Sequence, residues 1–275
     1  MALRMRGSAR ARTVTPAPTG RPSVDTDLPT PLYHQIYLIL REQIATGAFD
    51  AAARLPTEAE ISATYAVSRI TAKRALDELA DEGLVVRRRG RGTQVVQRVA
   101  AAPVEANISG LIENLLAVGL ETSVDILEFG YCPASPAVRK ALALADGEEV
   151  QRAVRVRRHD GTPISYSTSW VPAKIGRAYT ARDLARKPLL ALLEKAGCLV
   201  GSADQTISAA LAEPAVARAL DVRVGSPLLS VVRTVFDQRG RPVEHIAILY
   251  RPDRYQYRTK LTRVRGPVTR MWSHA

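Results

Sequence analysis

Four arginines crowd into the positions from Arg87 to Arg91, in the run Arg87-Arg88-Arg89-Gly90-Arg91-Gly92. Guanidinium groups at that density pair with phosphates or enter a narrow minor groove, and the two glycines let the backbone turn tightly and come close to a groove. In isolation such a run also fits a solvated hairpin tip. Upstream, Arg69, Thr71, Lys73 and Arg74 put hydrogen-bond donors for base edges within two helical turns, and Ile70 among them suits a thymine methyl. Farther along, Arg155 and Arg157 alternate to one face of a candidate strand. An inward arginine pair costs desolvation unless it meets an anion, either a ligand or a carboxylate such as Glu244; the other option is that it faces water. No catalytic constellation assembles. His34, His159, His245 and His274 lie in no His-x-His or His-Glu-x-x-His spacing, and neither a Gly-x-Ser-x-Gly elbow nor a P-loop occurs. Cys132 and Cys198 form no metal or redox motif and read as reduced structural thiols, so neither a metal nor a cofactor is expected.

The elements that must position these groups are legible around them. Thr57 and Glu60 stand three apart before an apolar pattern, a capping box that starts a helix carrying Ile61 and Tyr65. Ala66-Val67 makes a short turn and Ser68 caps the next helix. In that helix Ala72, Ala75, Leu76 and Leu79 fall at i, i+3, i+4 and i+7 and share one face, which leaves Arg69, Ile70, Thr71, Lys73 and Arg74 around the edges and far side of its first two turns. Asp77, Glu78, Asp81 and Glu82 crowd its last turns, where phosphate would repel them. Gly83 stops the helix, and Leu84-Val85-Val86 and Thr93-Gln94-Val95-Val96 read as strands joined through the arginine run. Together these outline a winged helix-turn-helix. A supporting helix opens at Thr30-Pro31 and carries Leu32, Ile36, Leu40 and Ile44; Tyr33 and His34 near its start read as core or surface residues before phosphate contacts.

A length of 275 residues suits two domains, and a net charge of +12 with pI near 10.1 favours a polyanionic partner, nucleic acid before membrane. No apolar run has the length of a membrane span and the N-terminus lacks the apolar centre of a secretory signal, so a cytoplasmic protein is expected. The expected organisation is a disordered basic arm over 1–29, the DNA-binding head over 30–96, a linker over 97–106, a second domain over 107–264 and a tail over 265–275.

The second domain contains an internal repeat. Pro136-Ala-Val-Arg-Lys-Ala-Leu142 matches Pro214-Ala-Val-Ala-Arg-Ala-Leu220, and the register runs on through Gly147 and Gly225 to Arg155 and Arg233. Asp160-Gly161 and Arg239-Gly240 then mark turns, with Pro163 and Pro242 beginning return strands. Each copy reads as a helix, a strand, a turn and an antiparallel strand, and two copies about a pseudo-two-fold axis predict one mixed sheet with a cleft at their junction. Between them Leu189 to Ala196 reads as a helix and Leu199 to Leu211 as a strand.

Arg54-Leu-Pro-Thr-Glu58, Ser68-Arg69-Ile-Thr71 and Gly90-Arg-Gly-Thr93, in this order and spacing, resemble the head of the GntR family of bacterial transcription regulators. The resemblance implies that Arg54, Ser68, Arg69, Thr71, Lys73 and the tip from Gly90 to Gly92 contact operator DNA, with Arg89 and Arg91 anchoring the wing. Lys73 stands where the family usually has arginine, exchanging a bidentate fork for a point charge. Ala59 stands where many members are basic.

Arg155-Val-Arg157, Pro242-Val-Glu244 and Tyr250-Arg-Pro-Asp253-Arg254-Tyr255 resemble the UTRA effector-binding domain of the HutC branch, whose fold is that of chorismate lyase. The expected class is therefore α+β: a winged helix-turn-helix joined to a mixed α/β domain. The resemblance makes Arg155 and Arg157 the anion-binding members of an effector pocket, with Ser167, Ser169, Glu244 and Tyr250 as polar partners. Sugar-phosphate-sensing relatives carry Ser-Leu-Tyr where this chain has Pro188-Leu189-Leu190, and Glu in place of Ser167, which points away from a phosphorylated amino sugar and toward a carboxylate-bearing molecule. The expectation is an effector-controlled regulator, most often a repressor in this family, acting on double-stranded operator DNA as a homodimer. The competing reading is a lyase-like enzyme with a fused nucleic-acid anchor, which the shared fold allows.

Overall fold

The computed structural model describes residues 23–49, 54–88, 92–96, 104–106, 122–257, 261–265 and 270–274, and the chain divides into two units, 1–99 and 100–275. In the first unit α1 (Leu32–Ala45) follows Pro31 and buries Ile36, Tyr37 and Leu40. The capping box forms at the start of α2 (Glu58–Tyr65): Glu60 donates its backbone N–H to the Thr57 hydroxyl at 3.2 Å, and its carboxylate accepts from the Thr57 amide. Ala66, at φ 52°, takes the left-handed conformation that turns the chain. Ser68 then accepts from the Thr71 amide at 3.1 Å and opens α3 (Arg69–Asp81).

Ala72, Ala75, Leu76 and Leu79 of α3 are buried against Ile36, Leu40, Leu55, Ile61 and Val85, giving the head its own core. A hairpin follows, β1 (Val85–Arg88) paired antiparallel with β2 (Gly92–Val95). Its tip, with the candidates Arg89, Gly90 and Arg91, lies outside the described residues. Of the expected arm, residues 1–22 also lie outside them, whereas Asp25 is tied to α1: its amide donates to Gln35 Oε1 and its carbonyl accepts from Gln35 Nε2, both at 2.8 Å. Val24 packs on the same core.

The second unit begins, among its described residues, with β3 (Val104–Ala106), followed by β4 (Thr122–Pro133), α4 (Pro136–Leu142), β5 (Glu149–His159) and β6 (Thr162–Pro172). Three short helices make the crossing, α5 (Ala173–Gly176), α6 (Ala181–Arg186) and α7 (Leu189–Lys195). The second copy is β7 (Val200–Leu211), α8 (Pro214–Leu220), β8 (Pro227–Asp237) and β9 (Pro242–Tyr250). The chain ends with β10 (Tyr255–Tyr257), β11 (Leu261–Arg265) and β12 (Arg270–His274).

The repeat reaches farther than the sequence match, because a twelve-residue strand, β4 or β7, precedes each helix. Even the helix ends agree: Ala143 and Asp221 are both left-handed C-caps, at φ 50° and 53°. Six strands form one sheet in the order β4-β5-β6-β9-β8-β7, so the two copies meet at β6 and β9, where Thr168 faces Ala247 on the pseudo-two-fold axis. The expected mixed sheet is corrected here: every pairing in this sheet is antiparallel. Within each copy a helix returns the chain from the first strand to the second and a hairpin joins the second to the third, and a two-fold axis normal to the sheet makes the junction antiparallel as well.

The repeat helices α4 and α8 cover one face, packing on Val150, Trp170, Tyr166 and Leu249. The crossing helices cover part of the other, with Leu184, Leu189 and Leu193 set against Ala153, Val171 and Val235. Two segments expected to be linker and tail are paired strands instead. Residues 104–106 of β3 pair in parallel with β10, and residues 270–274 of β12 pair with β11.

Candidate functional site

In the head, helix geometry turns one end of α3 outward. Ser68, Arg69, Ile70, Lys73 and Arg74 are exposed and Thr71 is half-buried, because the opposite face is committed to the core. Ile70 is 81% exposed, so its side chain takes no part in the core of the head. Arg74 is partly engaged, its guanidinium lying 3.8 Å from the centroid of the Tyr33 ring. The Thr71 hydroxyl shares a 2.9 Å hydrogen bond with Ser68.

The other end of α3 is acidic; Asp81 is exposed, while its neighbours are matched within the head. Asp77 pairs with Arg87 at 2.8 Å, Glu78 meets His34 at 3.4 Å, and Glu82 accepts from the Tyr37 hydroxyl at 2.7 Å and pairs with Arg41 at 3.5 Å. Arg87 also reaches Glu58 at 3.6 Å, so this member of the arginine run latches the wing to α2 and α3 while Arg88 stays exposed. Arg54 runs beneath the wing: a Cβ added at Gly92, which has φ +74°, would lie 3.1 Å from Arg54 Nε, so this position requires glycine.

In the second unit the pleat brings side chains from five strands to one sheet face. Arg155, Ser167 and Ile248 stand in one cross-strand row, and Arg157, Ser165 and Tyr250 in the next. Ala153, Ser169, Ile246 and Arg233 make the row on the other side. A cavity of about 40 Å³ opens there, lined by Arg155, Arg157, Ser165, Ser167, Arg233 and Glu244 over a floor of Ile246 and Ile248. Val124 and the first residue of α7, Leu189, close its sides.

Four of the expected effector contacts therefore converge: Arg155, Arg157, Ser167 and Glu244. Ser169 and Tyr250 share the face without lining the cavity. Ser169 is fully buried, and its hydroxyl lacks a hydrogen-bond partner among the described residues. Tyr250 lies face to face with Tyr255, ring centroids 3.9 Å apart. Arg155 and Glu244 are nearly inaccessible, 8% and 3% exposed. Arg157 Nη1 donates to the Thr122 hydroxyl at 2.7 Å.

Among the crossing helices Tyr179 donates to Gln151 Oε1 at 2.8 Å, and burial pushes its phenol well above the usual range, with the charges of Glu244 and Arg155 both in reach. His245 points to the opposite face, tilted against the Trp170 ring and hydrogen-bonded to the Thr234 hydroxyl at 2.9 Å; burial holds its pKa down. Sequence reasoning missed Ser165, Arg233 and Leu189 as lining residues. A signal existed for Arg233, which the repeat makes the counterpart of Arg155. None of the described residues forms a cluster able to hold a metal, and no described helix is long and apolar enough to cross a membrane.

Comparison with known proteins agrees with both halves. Residues 32–95 match the bacterial regulatory proteins of the gntR family, and residues 117–256 match the UTRA domain. Over 241 residues the chain is 33% identical to an HTH-type transcriptional regulator of Mycobacterium tuberculosis, covering 85% of this chain and 87% of that protein. It is 28% identical over 213 residues to the histidine utilization repressor of Pseudomonas aeruginosa, covering 78% and 84% respectively. The solved structure of PhnF from Mycobacterium smegmatis, 24% identical, covers 81% of this chain and 97% of its own with a TM-score of 0.51, a likeness of fold.

Proposed function

Since the chain belongs to the GntR family of bacterial regulatory proteins, in its HutC branch, and carries a UTRA domain, we propose that it is a repressor whose operator affinity is set by a small anionic effector. The observation that carries this reading is the division of labour along α3: its basic leading end faces solvent while Asp77, Glu78 and Glu82 of its acidic trailing end are paired within the head. A helix so polarised presents Arg69, Thr71 and Lys73 to base edges and keeps its carboxylates away from phosphate. Arg54, Ser68, Arg88 and the wing tip supply backbone contacts. Two copies acting in the cytoplasm place these helices in half-sites about one helical turn apart.

Effector binding needs to change the affinity for DNA by only about 1–3 kcal/mol, a factor of roughly 5 to 150. The convergence of Arg155 and Arg157 on one cavity supports an anion there. Gel shifts at raised salt with competitor DNA test the DNA-binding half: a specific complex persists, whereas binding driven by phosphate alone collapses. A thermal-shift screen of small carboxylates and sugar phosphates tests the pocket, and turnover of any of them would favour an enzyme.

A further inference from the structure

The cavity holds a third arginine, and its position narrows the class of molecule that fits. Resting on the reading of this cavity as an anion site, we propose that Arg233 is a second anion anchor and that the effector is a short molecule with an anionic group at each end.

Three observations lead there. First, charge: among the described residues the lining brings three arginines, Arg155, Arg157 and Arg233, and one carboxylate, Glu244, so its wall is rich in positive groups. Second, placement: Arg155 and Arg157 share β5 while Arg233 stands on β8, with β6 and β9 between them. At the usual strand separation this spans about 14 Å across the sheet, and the intervening floor of Ile246 and Ile248 is apolar. An apolar middle with charged ends matches that sequence of surfaces. Third, preorganisation: Arg233 donates through Nε, at 2.9 Å, and Nη2, at 2.5 Å, to Gln205 Oε1 on the neighbouring strand. Gln205 is a neutral amide, so it fixes the direction of the guanidinium without cancelling its charge.

The repeat explains how this arrangement arose. Arg233 is the counterpart of Arg155, so both copies contribute an arginine from the same repeat position to a cavity at their junction, while Arg157 belongs to the first copy, with Val235 in its place in the second. The symmetry is broken where Glu244 on β9 answers to Ser165 on β6. Glu244 thereby offers an acceptor to a hydroxyl or amine on the ligand's body.

Calorimetric titration of the full chain tests this with matched probes: succinate, glutarate and adipate against butyrate and hexanoate. In the natural protein the best diacid binds at least tenfold more tightly than the monoacid of similar length. Arg233→Gln abolishes that preference, Arg233→Lys restores part of it, and Gln205→Ala weakens the diacid while leaving the monoacid unchanged. Equal affinities for diacids and monoacids in the natural protein overturn the inference. So does an Arg233→Gln variant that keeps the natural melting curve and the tenfold preference. If acids bind but Arg233 plays no part, this inference alone falls; if no acid binds at all, the anionic reading of the cavity falls with it.

Discussion

Ile70→Ala isolates recognition from folding. Its side chain is 81% exposed on α3, so its removal takes nothing from the core of the head. Stability should stay within about 0.5 kcal/mol of the natural protein, and alanine's better helix propensity pushes slightly the favourable way. Fully burying an isoleucine is worth roughly 1.5–3 kcal/mol, and contact with one thymine methyl covers about a third of it. The expected loss is thus about 0.5–1 kcal/mol of operator affinity, a factor of roughly two to five. Fluorescence anisotropy with the operator duplex, combined with thymine-to-deoxyuridine substitution at each position, reads this out. One thymine should lose affinity with the natural protein when its methyl is removed and show no loss with Ile70→Ala. The reasoning is refuted if every methyl is dispensable to the natural protein, or if the variant keeps the same methyl dependence.

The remaining predictions concern the latch, a histidine and the pocket. Arg87→Ala breaks the half-exposed pairs with Asp77 and Glu58 and should cost about 0.5–1.5 kcal/mol in denaturant titration, while also weakening operator binding through a freed wing. Burial lowers the pKa of His245 from 6.5, so the folded state binds fewer protons than the unfolded one. Stability should therefore fall as pH drops through 6.5 and level off below the folded pKa, and His245→Gln should remove that part of the slope in melts between pH 7.5 and pH 5. Arg157→Ala should raise the effector concentration needed to release the operator at least tenfold in a gel shift.

The sequence made the local devices legible because their chemistry is short-range. The Thr57–Glu60 capping box, the Ser68 cap and the apolar face of α3 all depend on residues within one or two turns, and all formed. The repeat was visible for the same reason: each copy is a local unit. What escaped depends on which elements meet. Arg87 read as part of a phosphate-binding run, yet the fold returns it to Asp77 on α3 and Glu58 on α2. Arg74 read as a base contact, and α1 brings Tyr33 beneath it. Strands as short as β3 and β10 carry no periodicity, so residues 104–106 looked like linker.

The pocket divided along the same line. Arg155 and Arg157 stood out because alternation within one strand put them on one face. Arg233 joins them only through the sheet order, which places β8 two strands beyond the β6 partner of β5. Leu189 arrives from a helix in the crossing between copies. A chain read in order offers no measure of either proximity.

The most direct test of the account is selection of sites from random duplex DNA by the natural protein and by Arg69→Ala in parallel, followed by footprinting of the winners. The natural protein should enrich a near-palindrome, protected at two half-sites about one helical turn apart, and Arg69→Ala should retain its fold while enriching nothing. Absence of any enriched sequence, or the same motif recovered by both proteins, would contradict it.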